Sequence, residues 1–176
     1  MTPVSRRAFY ALALFIVVLD QVTKAWLRAT LPLGASVPLW PGVFHLTHTQ
    51  NRGAAFSLLE GRTPLLAVAA LVVVGVIIFA IERRGARAPR LPLSLALALS
   101  LPLGGALGNF VDRVRLGYVT DMFDAVVIRF PVFNVADSAI TVGIAVLLWR
   151  TLFVKDEGQI VAVNNGGPAA EDVPAA

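Results

Sequence analysis

Four long apolar stretches constrain this chain more than any other feature of its 176 residues. The first runs from Ala8 to about Leu27, with twelve uninterrupted apolar residues, Ala8 to Leu19, ahead of Asp20 and Lys24. The second, Thr63 to Ile81, has 19 residues and no charge. The third, Leu91 to Val111, has 21 and no charge, and is punctuated by Pro92, Pro102, Gly104, Gly105 and Gly108. The fourth, about Val132 to Trp149, carries one acid, Asp137. A helix rises about 1.5 Å per residue, so some 20 residues cross a hydrocarbon core of ~30 Å. Each stretch suffices. The composition agrees: 57% of residues are hydrophobic and 15% charged, against about 45–50% and 25% in soluble domains. The expected fold class is an all-α membrane protein with four transmembrane helices.

Several chemistries are excluded at once. With no cysteine, disulfides, thiolate metal sites and cysteine nucleophiles are out. Only two histidines occur, His45 and His48, and no third ligand accompanies them as a zinc site requires. A net charge of +4 could suggest nucleic acid, but the arginines flank apolar runs, as at membrane borders. The basic start and apolar run of the first stretch resemble a cleaved export signal. However, no small-residue cleavage site follows, and Asp20 and Lys24 stand where one would be.

Arginine density sets the expected orientation. Arg6 and Arg7 precede span one, Arg83, Arg84, Arg87 and Arg90 separate spans two and three, and Arg150 and Lys155 follow span four. These segments share one side, which the positive-inside rule makes the cytoplasm. The counts are close, eight basic residues inside and seven outside, but the outer segments are much longer. Both termini are therefore expected in the cytoplasm. A single four-helix membrane domain is expected over 1–155, with 156–176 as a disordered cytoplasmic tail, since that segment is rich in Gly, Pro, Ala and acids.

This topology gathers polar groups at the outer face. Asp20 and Lys24 end span one; Asn109, Asp112 and Arg113 end span three; Asn134 and Asp137 open span four; Asp121 and Asp124 lie in the loop between. An ionisable group at membrane depth costs several kcal/mol unless paired, which marks it as a functional candidate. Asp20 and Lys24 are spaced for an intrahelical ion pair, and Asp112 and Arg113 for a helix-end pair. Asn109 to Asp112 and Asn134 to Asp137 repeat an Asn-x-x-Asp pattern, either helix caps or amides orienting carboxylates.

The outer segment Phe44–Thr49 alternates and is rich in strand formers, so a small β-rich element is expected on the outer membrane face. Asn51-Arg52-Gly53-Ala54-Ala55-Phe56 follows, with residues that permit close backbone approach, and Val126–Phe133 reads as an apolar interfacial stretch. Acids without a histidine or cysteine partner suit a paired-carboxylate site. Two neighbouring carboxylates cannot both ionise cheaply, so one keeps its proton and the other acts as base toward water. Such a pair needs no cofactor, and no metal is assigned. From charge alone, Asp112, Asp121, Asp124 and Asp137 are all candidates. Carboxylates holding a divalent cation for lipid-phosphate hydrolysis are one rival use; a small transporter, suggested by the Pro102 and Gly104–Gly105 breaks, is another.

The segments DQVTK (Asp20–Lys24), NRGAAF (Asn51–Phe56), GGALGNFVDR (Gly104–Arg113), VTDMF (Val119–Phe123) and FNVAD (Phe133–Asp137) together resemble the five motif boxes of the lipoprotein signal peptidases, bacterial signal peptidase II, in the family's order. The resemblance implies an aspartic endopeptidase of the bacterial cytoplasmic (inner) membrane with its site at the extracytoplasmic face. The implied substrate is a prolipoprotein, cut just before its diacylglyceryl-modified cysteine. The implied partners are this substrate and membrane lipid, not nucleic acid, and the chain is expected to act as a monomer. Carried over by motif, the catalytic pair is Asp121 and Asp137, leaving Asp124 outside its box. Asn51, Gly53, Asn109, Asp112, Arg113 and Asn134 match positions that bind substrate or support the site; Asp20 and Lys24 match a structural, supporting box. Arg113 or Arg115 is further placed to meet lipid phosphate. The departure is Met122, where the family more usually has an aromatic or branched residue.

Overall fold

A computed structural model describes residues 3–53, 59–85 and 90–154. The expected tail at 156–176, Lys155, Arg87 and the Ala54–Phe56 part of the second box lie outside these residues. Four helices long and apolar enough to cross a membrane are present among them: α1 (Arg6–Thr30), α2 (Thr63–Gly85), α3 (Leu93–Leu116) and α4 (Val135–Phe153).

Local chemistry fixes the helix ends. The Ser5 hydroxyl accepts from the Ala8 amide and opens α1. Leu31, which precedes Pro32, is extended and closes it, because a proline disfavours helical geometry in the residue before it. Helix α3 runs five residues past the expected Val111, to Leu116, where Gly117 caps it at φ 78°. Asp112 and Arg113 consequently lie inside the helix, not past its end. Helix α4 starts at Val135 rather than Val132, because Phe133 pairs its backbone with Phe123 and Asn134 is the extended N-cap.

Helix α3 is the centre of the bundle and packs against α1, α2 and α4. Its small residues allow this closeness: a Cβ on Gly104 would lie 2.6 Å from the Ala13 carbonyl of α1, and one on Gly105 would strike the Ala136 carbonyl of α4. The apolar core includes Phe9, Ala13, Ile77, Ile81, Leu91 and Leu103. The outward side chains of α2, among them Val68, Val72, Val76 and Phe79, are exposed and apolar, a surface suited to hydrocarbon.

The two ends of the bundle differ. At one end β1 (Pro3–Ser5) pairs antiparallel with β4 (Arg90–Pro92). There Arg6 meets Glu82 at 2.9 Å, Tyr10 donates to Glu82 at 2.6 Å, and Arg150 donates to the Ser94 hydroxyl. At the other end, β2 (Ser36–Trp40), β3 (Phe44–Asn51) and β5 (Val119–Asp124) form an antiparallel sheet in that order. The β2–β3 hairpin meets the expectation for this segment. The third strand does not: Asp121 and Asp124, expected in a loop, lie in β5, with Asp121 opposite Thr49 and Asp124 opposite His45. Between β5 and α4, Val126–Ile128 form a single 3-10 turn, and Val127, Ile128 and Phe130 project outward.

Candidate active site

Helices α1, α3 and α4 and strands β3 and β5 converge at the sheet-bearing end, where their polar side chains form three layers. The deepest is ionic. Asp20, Lys24 and Asp112 are essentially inaccessible, at 0%, 0% and 1% exposure. The Lys24 ammonium sits 2.8 Å from Asp20 Oδ2 and 3.3 Å from Asp112 Oδ2, and donates to Asn109 Oδ1 at 2.8 Å. Two carboxylates and an amide oxygen thus surround it, the acceptors that an ammonium removed from water requires. The intrahelical Asp20–Lys24 pair therefore exists within a wider network. Gln21 closes it by donating to Asp20, to Asp112 and to the Gly108 carbonyl. The expected Asp112–Arg113 helix-end pair is replaced, since the Asp112 oxygens are taken by Lys24, Gln21 and the Thr120 amide.

Three asparagines form the middle layer. Asn109 accepts from Lys24 and from Asn134, which turns its own Nδ2 onto Asp137 Oδ1 at 2.8 Å. Asn134 accepts the Asp137 backbone N–H and donates to Asp121 Oδ1 at 2.6 Å. Asn51 accepts the Gly53 N–H, leaving its Nδ2 for Asp121 Oδ2 at 3.0 Å. The two Asn-x-x-Asp repeats thus differ. Asn134 and Asp137 make a reciprocal capping box at the start of α4, and Asn134 spans to Asp121 as well. Asn109 and Asp112 lie within α3, where both meet Lys24 and Asn109 alone reaches on to Asp137.

The top layer is the pair of carboxylates. Asp121 from β5 and Asp137 from the first turn of α4 line one cavity of about 480 Å3, together with Asn51, Asn109 and Arg113. Asp121 is 1% exposed, whereas Asp137 is half-buried. Burial pushes the Asp121 carboxyl up to about 7; the neighbouring Asp137 charge adds to this, and the Asn51 and Asn134 donors and Lys24 oppose it. Arg113 donates to the Gly53 carbonyl at 3.2 Å and adds positive charge facing both carboxylates. It is directed into the site rather than toward lipid phosphate. The rest of the wall is apolar and includes Phe130, Pro131, Val132, Ile140 and Val142, so part of the Val126–Phe133 stretch roofs the site.

Other candidates fall elsewhere. Asp124 accepts from Thr47 on the sheet and is not in the cavity wall. His48 bonds the Leu31 carbonyl and His45 contacts Ser36; both are sheet residues. Met122 is a buried residue of β5. Among the described residues, no group of three His, Cys, Asp or Glu side chains is arranged to hold a metal ion. Two participants were not singled out from the sequence. Gln21 stands inside the first box, and an amide in an apolar helix is itself a signal, because its burial must be compensated. Thr120, whose hydroxyl accepts from Arg28 at 2.8 Å, has no such signal.

Comparison with known proteins accords with this geometry. The family model described as signal peptidase (SPase) II matches residues 12–153. The lipoprotein signal peptidase of Brevibacillus brevis is 48% identical over 141 residues, covering 80% of this chain and 91% of that protein. That of Gloeobacter violaceus is 46% identical over 145 residues, 82% of this chain and 81% of the other. A bacterial membrane enzyme solved by the in meso method at 2.3 Å superposes with a TM-score of 0.77 at 27% identity, covering 96% of this chain and 99% of its own. Since the family match includes every polar residue of the three layers and reaches into all four membrane helices, the chain belongs to the signal peptidase II family.

Proposed function

We propose that this multi-pass membrane peptidase removes signal peptides from prolipoproteins by cutting just before the diacylglyceryl-modified cysteine, with Asp121 and Asp137 activating water. The observation that carries the reading is the pair of carboxylates from β5 and α4 in one cavity, each held by asparagine amides. Asp121 holds the shared proton and donates it to the scissile carbonyl oxygen, while Asp137 takes a proton from the attacking water. The tetrahedral intermediate then collapses: the C–N bond breaks as the proton on Asp137 passes to the departing amine, and a hydroxyl of the intermediate returns its proton to Asp121, which restores the dyad. Asp137 suits the base role because its carboxylate is the more open of the two to the cavity.

The arginine-rich end of the bundle lies in the cytoplasm and the dyad at the outer face of the bacterial cytoplasmic membrane. The peptidase unit covers 1–155, acts as a monomer and needs no cofactor. A lipid-bearing substrate reaches such a site within the bilayer: the apolar wall at Ile140 and Val142 borders the exposed apolar faces of the bundle. Burying each methylene of an acyl chain there contributes ~0.8 kcal/mol.

The test is cleavage of a diacylglyceryl-modified prolipoprotein by detergent-purified protein with EDTA present. Wild type is expected to release the signal peptide, and Asp121→Asn and Asp137→Asn to lose at least about 10³-fold in kcat while staying folded. Full activity in either variant would sink the dyad, and activity that depends on an added divalent cation would replace it with metal-assisted hydrolysis.

A further inference from the structure

The ionic layer beneath the dyad is built with a symmetry that simple stabilisation does not need. Asp20 Oδ1 accepts the backbone N–H of Ala136, the residue before Asp137, at 3.0 Å. Asp112 Oδ2 accepts the backbone N–H of Thr120, the residue before Asp121, at 3.0 Å. Each buried carboxylate therefore grips the main chain one residue ahead of one catalytic carboxylate, and Lys24 lies between the two grips. The third Lys24 bond goes to Asn109. An ammonium can only donate, so this bond obliges Asn109 to present its carbonyl inward and its Nδ2 to Asp137.

We propose that Lys24 is a positioning residue for the aspartate dyad: by drawing Asp20 and Asp112 together it sets the separation of α4 and β5, and through Asn109 it orients Asp137. This rests on the dyad reading above. Removing the clamp leaves the cavity wall, and hence substrate binding, in place while the two carboxylates lose their mutual register. A displacement of about 1 Å in a catalytic group can cost 10²-fold in rate.

Lys24→Met alone would strand two buried carboxylates, so the informative variant is Lys24→Met combined with Asp20→Asn. It keeps the net charge of the cluster at its wild-type −1, and an amide oxygen at position 20 can still accept the Ala136 N–H. Asp112→Asn is the second variant, because it leaves the Lys24–Asp20 pair intact while it removes the Lys24–Asp112 ion pair and weakens the grip on β5. Both are assayed on the lipidated prolipoprotein across pH, alongside Asp121→Asn and Asp137→Asn, with thermal unfolding as the check on folding. Expected are a kcat lowered ~10²-fold and a KM within about threefold of wild type.

In the double variant the alkaline limb of the rate profile should also move to higher pH. The charges around Asp121 are Asp137 on α4, Lys24 on α1 and Arg113 on α3; the double variant withdraws Lys24, which holds that carboxyl down, and the Asp20 charge withdrawn with it is not one of them. A folded double variant with kcat within threefold of wild type overturns the proposal. So does a loss carried by KM with the limb unmoved. If the double variant does not fold, Asp112→Asn decides by the same kcat and KM criterion. Activity in the Asp121→Asn or Asp137→Asn controls would instead overturn the dyad itself, whatever Lys24 does.

Discussion

Asp121 and Asp137 are chemically alike but differently housed, and that difference sets how the site responds to pH. Asp121 is enclosed and its carboxyl is pushed up to about 7 by burial first and by the Asp137 charge second. Below that value it carries the proton the mechanism requires; above it, the proton is lost and two negative charges face each other across the cavity. We expect kcat/KM to decline above about pH 7, approaching one decade per pH unit, and a profile still rising at pH 9 would contradict the assignment of the proton to Asp121. The same shift bears on stability. A carboxyl whose native pKa is raised above its unfolded value of 3.8 favours the folded state fully below pH 4, and that contribution fades as pH climbs through 7. The types of these residues were legible in the sequence, because bare acids at membrane depth must do something or be paired. Which acid sits with which could not be read from charge and spacing, where Asp112, Asp121, Asp124 and Asp137 are equivalent; the resemblance of the motif boxes alone singled out Asp121 and Asp137. In the structure the pairing of Thr49 with Asp121 across β3 and β5, and the three asparagines beneath, set Asp121 apart in physical terms.

Among the elements, α3 has the least freedom to change. Its glycine-rich face touches α1 and α4 where the ionic layer begins, and a Cβ on Gly108 would lie 2.5 Å from Asp20 Oδ2 and 3.0 Å from its Cγ. Asp20 cannot step aside, since its oxygens are held by Lys24, Gln21 and the Ala136 amide. Gly108→Ala should therefore lower stability by about 1–3 kcal/mol through overpacking, despite the ~1 kcal/mol by which alanine favours a helix. Gly75 in α2 has nothing within 4 Å of its missing Cβ, so Gly75→Ala should be neutral or slightly stabilising. Thermal unfolding of the two variants in detergent gives the comparison, and an equal response would show that closeness at Gly108 is not limiting. Such crowding was visible in the sequence as an excess of Gly and Pro in the third apolar stretch. The strand β5 was not, because it pairs with a segment some 70 residues earlier, as Asn51 opposite Val119 shows, and its six residues carry no alternation that local pattern could reveal.

For the whole molecule, the number of spans and the sharing of sides between termini and loops followed from apolar length alone. The absolute orientation rests on finer margins. Eight basic residues on one side against seven on the other would scarcely decide it by count, but the eight lie in short segments next to the helix ends, where the positive-inside bias acts. The structure sharpens this contrast. At the sheet-bearing end Arg28 is bonded to Thr120 and Arg113 to Gly53, so part of the positive charge at that end is engaged by the protein. At the other end Arg83, Arg84 and Arg90 are exposed, free to face anionic headgroups. Because the chain has no cysteine, single substitutions can report the orientation without a background. Arg62 stands exposed at the sheet-bearing end of α2 and Arg84 exposed at its opposite end. An impermeant maleimide applied to intact spheroplasts should label Arg62→Cys and should reach Arg84→Cys only once the membrane is opened. The reverse pattern would put the dyad on the cytoplasmic side, where a signal peptide still attached to an exported lipoprotein could not reach it, and labelling of both without permeabilisation would mean that α2 does not span the bilayer.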